Sequence, residues 1–306
     1  VEVVNGRKGG PRLFVSAAIH GDELNGVEII RRLLRHSALK RMRGTLIAVP
    51  VVNVHGLLHR SRYLPDRRDL NRSFPGSGRG SLAGRMAELF MREIVANCTH
   101  GIDLHTGAVH RENLPQVRAN LDDPDTLSLA EAFGVPVLLN SVLRDGSLRE
   151  AAMEAGIPML LYEGGEALRF HEMSIRAGLN GVLHVMRALG MLPARRKGHG
   201  VKPVVARSSS WVRAPVSGVL RFQARLGERV QKGDTLGVIA APLASSESKV
   251  LAPFNGILIA QTHLPLVHEG EALFHLARFE SNTAVAEQVE ALHETLGPDL
   301  PEDEVI

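Results

Sequence analysis

Between residues 11 and about 192 the chain switches repeatedly between two hydrophobic periods. Apolar runs at 12–19, 44–52, 100–105, 135–139 and 157–163 have the length of strands. Segments at 24–36, 80–96, 125–133, 147–155 and 172–190 space their apolar positions three or four apart, as helices do. This alternation predicts an α/β sheet with helices on both faces. Such sheets bind ligands at the carboxyl ends of their strands. Three chemically capable residues stand at three of these ends: His20 after Ile19, His105 closing GIDLH, and Glu163 closing PMLLYE.

From 194 to 210 the sequence ARRKGHGVKPVVARSSS is basic, then glycine- and serine-containing, and reads as a linker or an edge segment. Beyond it, short apolar strands alternate with Pro- and Gly-marked turns, with no helical period until about 283. This region repeats itself. APVSGVLRFQARLGERVQKGDTLGVI (214–239) is matched by APFNGILIAQTHLPLVHEGEALFHL (252–276). Two such units predict a small quasi-symmetric β-sandwich or barrel, which resembles the biotinyl/lipoyl carrier fold. Carriers hold a modified lysine at a hairpin tip between the units. Lys249 lies between them here, within SSESKVLAP, but lacks the flanking residues of either carrier type. It is read as unmodified and structural. The last stretch, after Arg278, has no Lys or Arg and eight acidic residues. It predicts a short amphipathic helix over 283–296 and a frayed acidic end.

The 306 residues, 44% hydrophobic, suffice for one large domain or two ordinary ones. The expected division is 1–197, 198–279 and 280–306. No run is long enough to cross a bilayer and no signal peptide is evident, so the expected location is cytoplasmic. The single cysteine, Cys98, excludes an intrachain disulfide and a cysteine-rich metal site, and is expected to be an ordinary buried residue. The net charge of +3 is scattered and aromatics are only 4%, which argues against a nucleic-acid partner.

The segment AAIHGDELNG, residues 17–26, places an imidazole and two carboxylates between a strand and a helix. His20 and Glu23 are candidates for two of the three ligands of a His₂Glu catalytic zinc site, a type that leaves one position for water. His105 supplies the third type from another strand end, and Asp103 is placed to orient it. Gly21 is expected to permit the sharp turn, and Asp22 to face away or support the loop. The pair alone is a weak metal signal. With 14 histidines a His falls near a Glu by chance, and His55, His59 and His110 are read as ordinary surface or core residues.

Two further segments fit the same chemistry. RYLPDRRDLNRSFPG, 62–76, carries Arg62, Arg67, Arg68, Asn71 and Arg72. An Arg fork with an Asn donor matches a substrate carboxylate, although a solvated basic loop has the same composition. In PMLLYEGGE, 158–166, Glu163 ends an apolar strand. Partial desolvation there would raise its pKa toward the range of a general base. Gly164 and Gly165 would leave room for substrate, and Glu166 is expected to be solvated.

HGDE, DLNRSFPG, DLHTG…NLPQVRANL and YEGGE occur in that order. Together they resemble the succinylglutamate desuccinylase/aspartoacylase family of zinc deacylases, relatives of the zinc carboxypeptidases. The resemblance covers nearly the whole chain. It implies a mixed sheet flanked by helices, with a smaller C-terminal all-β domain of lipoyl/biotinyl type leaning over the cleft. It implies one Zn²⁺ per chain held by His20, Glu23 and His105, and Glu163 as the base. Arg62 would polarise the scissile carbonyl, a place that Arg67 or Arg68 could take because the loop varies in length. Asn71 and Arg72 would bind the substrate carboxylate. The implied activity is hydrolysis of the amide of an N-acyl amino acid or a similar small acid. A carboxypeptidase acting on short peptides and a non-enzymatic carrier or binding protein are the alternatives. The acyl group, the amino acid and the oligomeric state, a homo-oligomer included, stay open.

Overall fold

The computed structural model describes residues 1–140, 145–194, 201–243 and 246–296. Its strands are β1 (Glu2–Asn5), β2 (Arg12–Ala17), β3 (Thr45–Val49), β4 (His100–Gly107), β5 (Arg111–Ala119), β6 (Val137–Asn140), β7 (Met159–Glu166) and β8 (Val204–Ala206), followed by β9 (Ser208–Arg213), β10 (Gly218–Phe222), β11 (Arg229–Val230), β12 (Thr235–Ala240), β13 (Glu247–Leu251), β14 (Gly256–Thr262), β15 (Leu266–Val267) and β16 (Ala272–Arg278). Its helices are α1 (Asn25–Arg35), α2 (Val54–His59), α3 (Leu82–Glu93), α4 (Pro124–Phe133), α5 (Leu148–Glu154), α6 (Glu172–Ala188) and α7 (Asn282–Leu296). None of the described helices is long and apolar enough to cross a membrane.

A mixed sheet runs β1-β3-β2-β4-β7-β5 and continues into β14-β16-β9. Strands β3, β2, β4 and β7 are parallel, so their carboxyl ends share one edge. Period-two alternation assigns the two faces of this sheet. Leu13, Val15 and Ala17 of β2 join Ile29, Ile30 and Leu33 of α1, with α4 and α6, in one core. Phe14 points the other way, into a second core with Ala87 and Phe90 of α3 and Ala151 of α5. Helices therefore cover both faces, as the alternating pattern predicts.

Several helix ends follow ordinary capping chemistry, while α1 and α6 start without a side-chain cap. Asp123 accepts from the Thr126 amide at the start of α4, and Gly134 ends that helix at φ +82°. Ser81 and Ser147 cap α3 and α5 in the same manner. Helix α1 has no side-chain cap, which costs about 1 kcal/mol. Its fully buried Ile29, Ile30 and Leu33 offset this easily, at about 1.5–3 kcal/mol each. The carboxylate that stands before its first turn, Glu23, is committed elsewhere.

The sequence reading missed three elements of this half. Strand β1 is a short edge strand on β3, and α2 is a helix of only six residues. Strand β5, RENLPQVRA, carries a proline and polar residues. Its Val117 and Ala119 face the core, and Arg118 between them lines the site. The stretch 194–210, expected as a linker or an edge segment, contributes two edge strands where it is described: β8 pairs with β6, and β9 pairs with β16. Its basic cluster Arg195-Arg196-Lys197 and the boundary at 197/198 lie outside the described residues.

The internal repeat appears as matched pairings. Strand β10 pairs with β12, and β14 with β16; β12 pairs with β13, and β16 with β9. The two-residue strands are exchanged, β11 lying on β14 and β15 on β10. Lys249 is in the middle of β13 opposite Val238, with its side chain exposed on a sheet edge. Helix α7 forms where the amphipathic pattern predicts it and buries Val285, Val289, Leu292 and Leu296. The acidic end beyond 296 lies outside the described residues.

Strand β14 joins the repeat to the first half. Thr262, Gln261 and Ala260 pair with Arg111, Glu112 and Asn113, while the other half of β5 pairs with β6. Leu114, Val137 and Leu139 share a core with Ile257, Ile259 and Val289. This junction brings β9 beside the carboxyl ends of the parallel strands.

Candidate active site

Strand β2 ends at Ala17, and the chain turns through Ala18, whose φ of +48° is left-handed. The turn places His20 and Glu23 at the sheet edge. The left-handed residue is therefore Ala18 and not Gly21. Glycine at 21 answers a close approach instead, because a Cβ there would lie 1.9 Å from the Gly56 carbonyl carbon of α2. Gly21→Ala must push two backbones apart, and an overpacking cost of about 1–3 kcal/mol is expected as a lowered midpoint in denaturant unfolding. Asp22 supports the loop, the second of the two expected roles: it is buried, and its carbonyl accepts from the Leu168 amide at 2.8 Å.

His20, Glu23 and His105 come together as expected. All three are buried, and their donor atoms lie within 4.8 Å of one another. Glu23 is the centre, with Oε1 2.7 Å from His20 Nδ1 and Oε2 2.8 Å from His105 Nδ1. The outer nitrogen of each ring meets an aspartate. His105 Nε2 is 2.7 Å from Asp103 Oδ2, and His20 Nε2 is 3.2 Å from Asp69 Oδ1. Ser16 Oγ donates to the other Asp103 oxygen at 2.7 Å, because Ser16 and Asp103 are register partners on β2 and β4. A carboxylate on the outer nitrogen turns the inner lone pair toward a shared point, which is how proteins present imidazoles to a metal.

The electrostatics of the cluster call for positive charge. Burial by itself would raise the Glu23 carboxyl, but His20 and His105 outweigh it and hold it far below the usual carboxylate range. Burial would likewise lower both imidazoles, yet Glu23 with Asp69 raises His20, and Asp103 with Glu23 raises His105. Two inward imidazole nitrogens against a carboxylate repel unless protons or a cation lie between them. The donor set His₂Glu, its burial and its aspartate supports all suit a divalent ion of the zinc class.

Asp69 is the member of this cluster that the sequence reading passed over. It accepts from the Asn71 amide at 2.8 Å and holds Arg62 through Nε at 3.1 Å and an outer nitrogen at 2.9 Å. The other Arg62 outer nitrogen lies 3.5 Å from Glu23 Oε1. Burial disfavours the guanidinium, but Glu23 and Asp69 outweigh it and keep it charged. Arg62 is thus the arginine of its loop that borders the histidines. Arg67 and Arg68 are exposed and do not line the cleft.

Around this cluster opens a cleft of about 750 Å³ that Arg62, Asn71, Arg72 and Glu163 all line. Asn71 Oδ1 accepts the Leu148 amide at the start of α5 at 2.8 Å, so the group it can offer a ligand is its amide nitrogen. Arg72 donates to the Asn71 carbonyl, and its side chain is exposed at the rim. Glu163 is the register partner of His105 across β4 and β7, about 4.8 Å away along the sheet. Its surroundings are ionic, not apolar as the strand-end pattern suggests. Arg118 Nε lies 3.2 Å from Oε1, and Asn113 donates to Oε2.

Two further expectations are corrected here. Gly164 and Gly165 make room for the protein and not for substrate, since a Cβ on them would meet the Tyr162 hydroxyl at 2.5 Å and Asn25 Nδ2 at 2.5 Å. Glu166 is buried, not solvated. It accepts the His110 amide and faces His263 Nδ1, each at 3.0 Å. Cys98 is an ordinary buried residue, and burial pushes its thiol up to about 11. The cleft also holds Arg111, Arg118, Arg149 and Trp211, none of which the sequence reading singled out. The sequence signal was partial: alternation gives Arg118 the face opposite Val117 and Ala119, but Arg111 and Asn113 share the cleft with it only through the register shift between Asn113 and Gln116.

Comparison with known proteins identifies the family and the fold. Residues 9–189 match the succinylglutamate desuccinylase/aspartoacylase catalytic domain. The chain is 25% identical over 296 residues to the N-alpha-acetyl-L-2,4-diaminobutyric acid deacetylase of Halomonas elongata, covering 92% of this chain and 84% of that protein. The crystal structure of a succinylglutamate desuccinylase/aspartoacylase from Rhodobacter sphaeroides superposes with a TM-score of 0.80 at 27% identity, covering 90% of this chain and 88% of that one. The fold is shared too with the product-bound ectoine utilization protein EutE (DoeB) of Ruegeria pomeroyi, with a TM-score of 0.81 at 23% identity, over 90% of this chain and 87% of that one. With its His20–Glu23–His105 cluster at the strand ends and this match over more than half its length, the chain belongs to the succinylglutamate desuccinylase/aspartoacylase family.

Proposed function

We propose that this chain is a zinc-dependent deacylase that hydrolyses the amide bond of an N-acyl amino acid or a similar small carboxylate-bearing substrate. The observation that carries the reading is the buried His20–Glu23–His105 cluster with Glu163 beside it across β4 and β7. His20, Glu23 and His105 hold the ion, and Asp103 and Asp69 orient the two imidazoles. When bound, zinc supplies a Lewis acid for the carbonyl and lowers the pKa of water.

The remaining chemistry belongs to the chain. Glu163 takes a proton from the attacking water as its oxygen bonds to the carbonyl carbon, and returns that proton to the nitrogen as the carbon–nitrogen bond breaks. The products are a carboxylic acid and an amine. Arg62, held by Asp69, directs its inner N–H group at the carbonyl oxygen where negative charge develops. Asn71 and Arg72 hold the substrate carboxylate and fix the distance from it to the scissile bond. The repeat over 198–279 acts as a structural unit that walls the cleft, with Lys249 unmodified.

The direct test is release of amine from a panel of N-acyl amino acids by zinc-loaded protein. Failure to cleave any of them, with zinc bound, overturns the reading. The clamp is tested with Arg72→Lys. A guanidinium fork pairs with a carboxylate bidentately and an ammonium does not. The expected fall in kcat/KM for the free acid corresponds to about 2 kcal/mol, the lower end for a truncated charge pair, because Arg72 is at the rim. The amide of the same substrate should be a poor substrate for wild type. Equal use of acid and amide would remove the clamp.

A further inference from the structure

A second cluster of titratable groups sits where the C-terminal repeat meets the first half, and the reaction proposed above does not use it. His263 follows the last residue of β14, and its ring lies between two carboxylates of the first half. Nε2 is 3.2 Å from Glu112 Oε2 of β5, and Nδ1 is 3.0 Å from Glu166 Oε2 at the end of β7. The backbone closes the same joint, where the His263 amide donates to the His110 carbonyl at 2.7 Å. Among the described residues, His20, Glu23 and His105 are the one group whose donor atoms converge enough for a metal. This second cluster is arranged for protons.

The other charged groups at the joint have arrangements that need no extra proton. Glu112 also meets His171 Nε2 at 3.3 Å, just ahead of α6, and His171 Nδ1 lies 2.8 Å from Ser174 Oγ. A neutral His171 can donate to the carboxylate and accept from the hydroxyl. Glu166 accepts the His110 amide at 3.0 Å, with Arg169 Nε at 3.6 Å and His110 Nδ1 at 3.9 Å. His263 has no neutral solution. A neutral imidazole carries one N–H and one lone pair, so it donates to one carboxylate and turns a lone pair on the other. The uncharged Gln261 amide, 3.4 Å from Nε2, leaves that conflict in place. The imidazolium donates to both, through charge-assisted hydrogen bonds. The bond to Glu112 accordingly raises the His263 pKa against the opposing effect of burial, and Glu166 adds to it.

The position of this joint gives it reach. Strand β14 is paired to β5 over three residues, and the last pair is Arg111 with Thr262. Each of these two is one residue from a member of the cluster. That short seam carries β14, β16 and β9, and β9 places Trp211 on the cleft, with the Arg111 guanidinium carbon 5.0 Å from its ring centre. We infer that His263 is a proton-operated clasp, which ties the repeat to the first half through Glu112 and Glu166 and so positions the β9 wall of the cleft. Loss of its proton releases one carboxylate and loosens the wall. The clasp stands apart from the deacylase reading, and its test needs neither metal nor turnover. A group whose pKa is raised by folding stabilises the fold fully below its unfolded value, here 6.5, and that contribution is lost as pH rises through the folded value.

The full chain is unfolded in urea at about pH 6 and about pH 9, either side of the imidazole range, as wild type, His263→Gln and Glu112→Gln. Comparison at each pH cancels titrations common to all three. The wild-type advantage over His263→Gln in the folding equilibrium constant is expected to shrink about fivefold from the lower pH to the higher, the upper end for an ion pair that keeps contact with water. Glu112→Gln keeps the imidazole but offers it an amide that can donate or accept, so it should show the same shrinkage. Trp211, the sole tryptophan, reports the wall through acrylamide quenching of its emission. Quenching is expected to rise with pH in wild type and to stay level in both variants. Titration of His275, which stacks on Trp211, would appear equally in all three. A wild-type advantage that stays constant with pH overturns the clasp. Quenching that changes equally in wild type and both variants, or in none, overturns its hold on the wall.

Discussion

Glu163→Gln is expected to lower kcat by about a hundred- to ten-thousand-fold, the range for loss of a positioned general base, while zinc content stays at the wild-type level. The amide matches the carboxylate in shape but cannot take a proton from water. The surroundings of Glu163 make one consequence specific to this chain. Both of its partners, Arg118 Nε and Asn113 Nδ2, are donors. A glutamine offers one acceptor and one NH₂, so it must turn a donor toward one of them. Some displacement is expected alongside the lost proton transfer. Glu163→Asp separates the two effects. It keeps a base that both donors can hold, but withdraws it by one methylene, and should retain more activity than the glutamine variant. Near-wild-type turnover in Glu163→Gln would assign the base to another residue.

His105→Ala is expected to abolish stoichiometric zinc and activity together. It removes one of the three proposed ligands, and it also strips a partner from two buried carboxylates, Glu23 and Asp103. Breaking a buried pair in this way costs about 3–5 kcal/mol, so the variant should also unfold at lower denaturant concentration. Asp103→Asn provides the contrast. It leaves all three ligands in place but weakens the orientation of His105, and a loss of roughly 10–100-fold in metal affinity is expected from an outer partner of this kind. Metal analysis after dialysis, with an unfolding curve for each variant, checks both. Tight stoichiometric zinc in His105→Ala would remove that residue from the site.

The parts of the molecule legible from sequence share a physical property. Each is set by local spacing. The strand and helix periods of the first half, the amphipathic helix α7 and the repeat at 214–239 and 252–276 follow from side-chain alternation that any chain must obey to bury one face. His20 and Glu23 were readable for the same reason, lying three apart in one turn. His105 is 82 residues further on, yet a strand end announced it, because parallel strands bring their carboxyl ends to one edge. Asp103 followed from its place two residues before His105 on the same face of β4.

What escaped was set by neighbours distant in sequence. Strand β5 has a proline and charges, and becomes a strand only because β7, β6 and β14 supply hydrogen bonds on both sides. The folded strand then supplies Arg111, Asn113 and Arg118 to the cleft. Asp69 sits in a loop rich in charges, and only the folded loop shows it between His20 and Arg62. The buried state of Glu166 depends on His263, 97 residues away. The reason for Gly21 is the backbone of α2, and the reason for Gly164 and Gly165 is the packing of Tyr162 and Asn25. The sequence by itself determined which candidate residues stand at the strand ends, because strand periods and the residues that close them are local. The tertiary structure decided what surrounds those residues, because burial, charge pairing and the wall contributed by β9 arise only when strands far apart in the chain become adjacent.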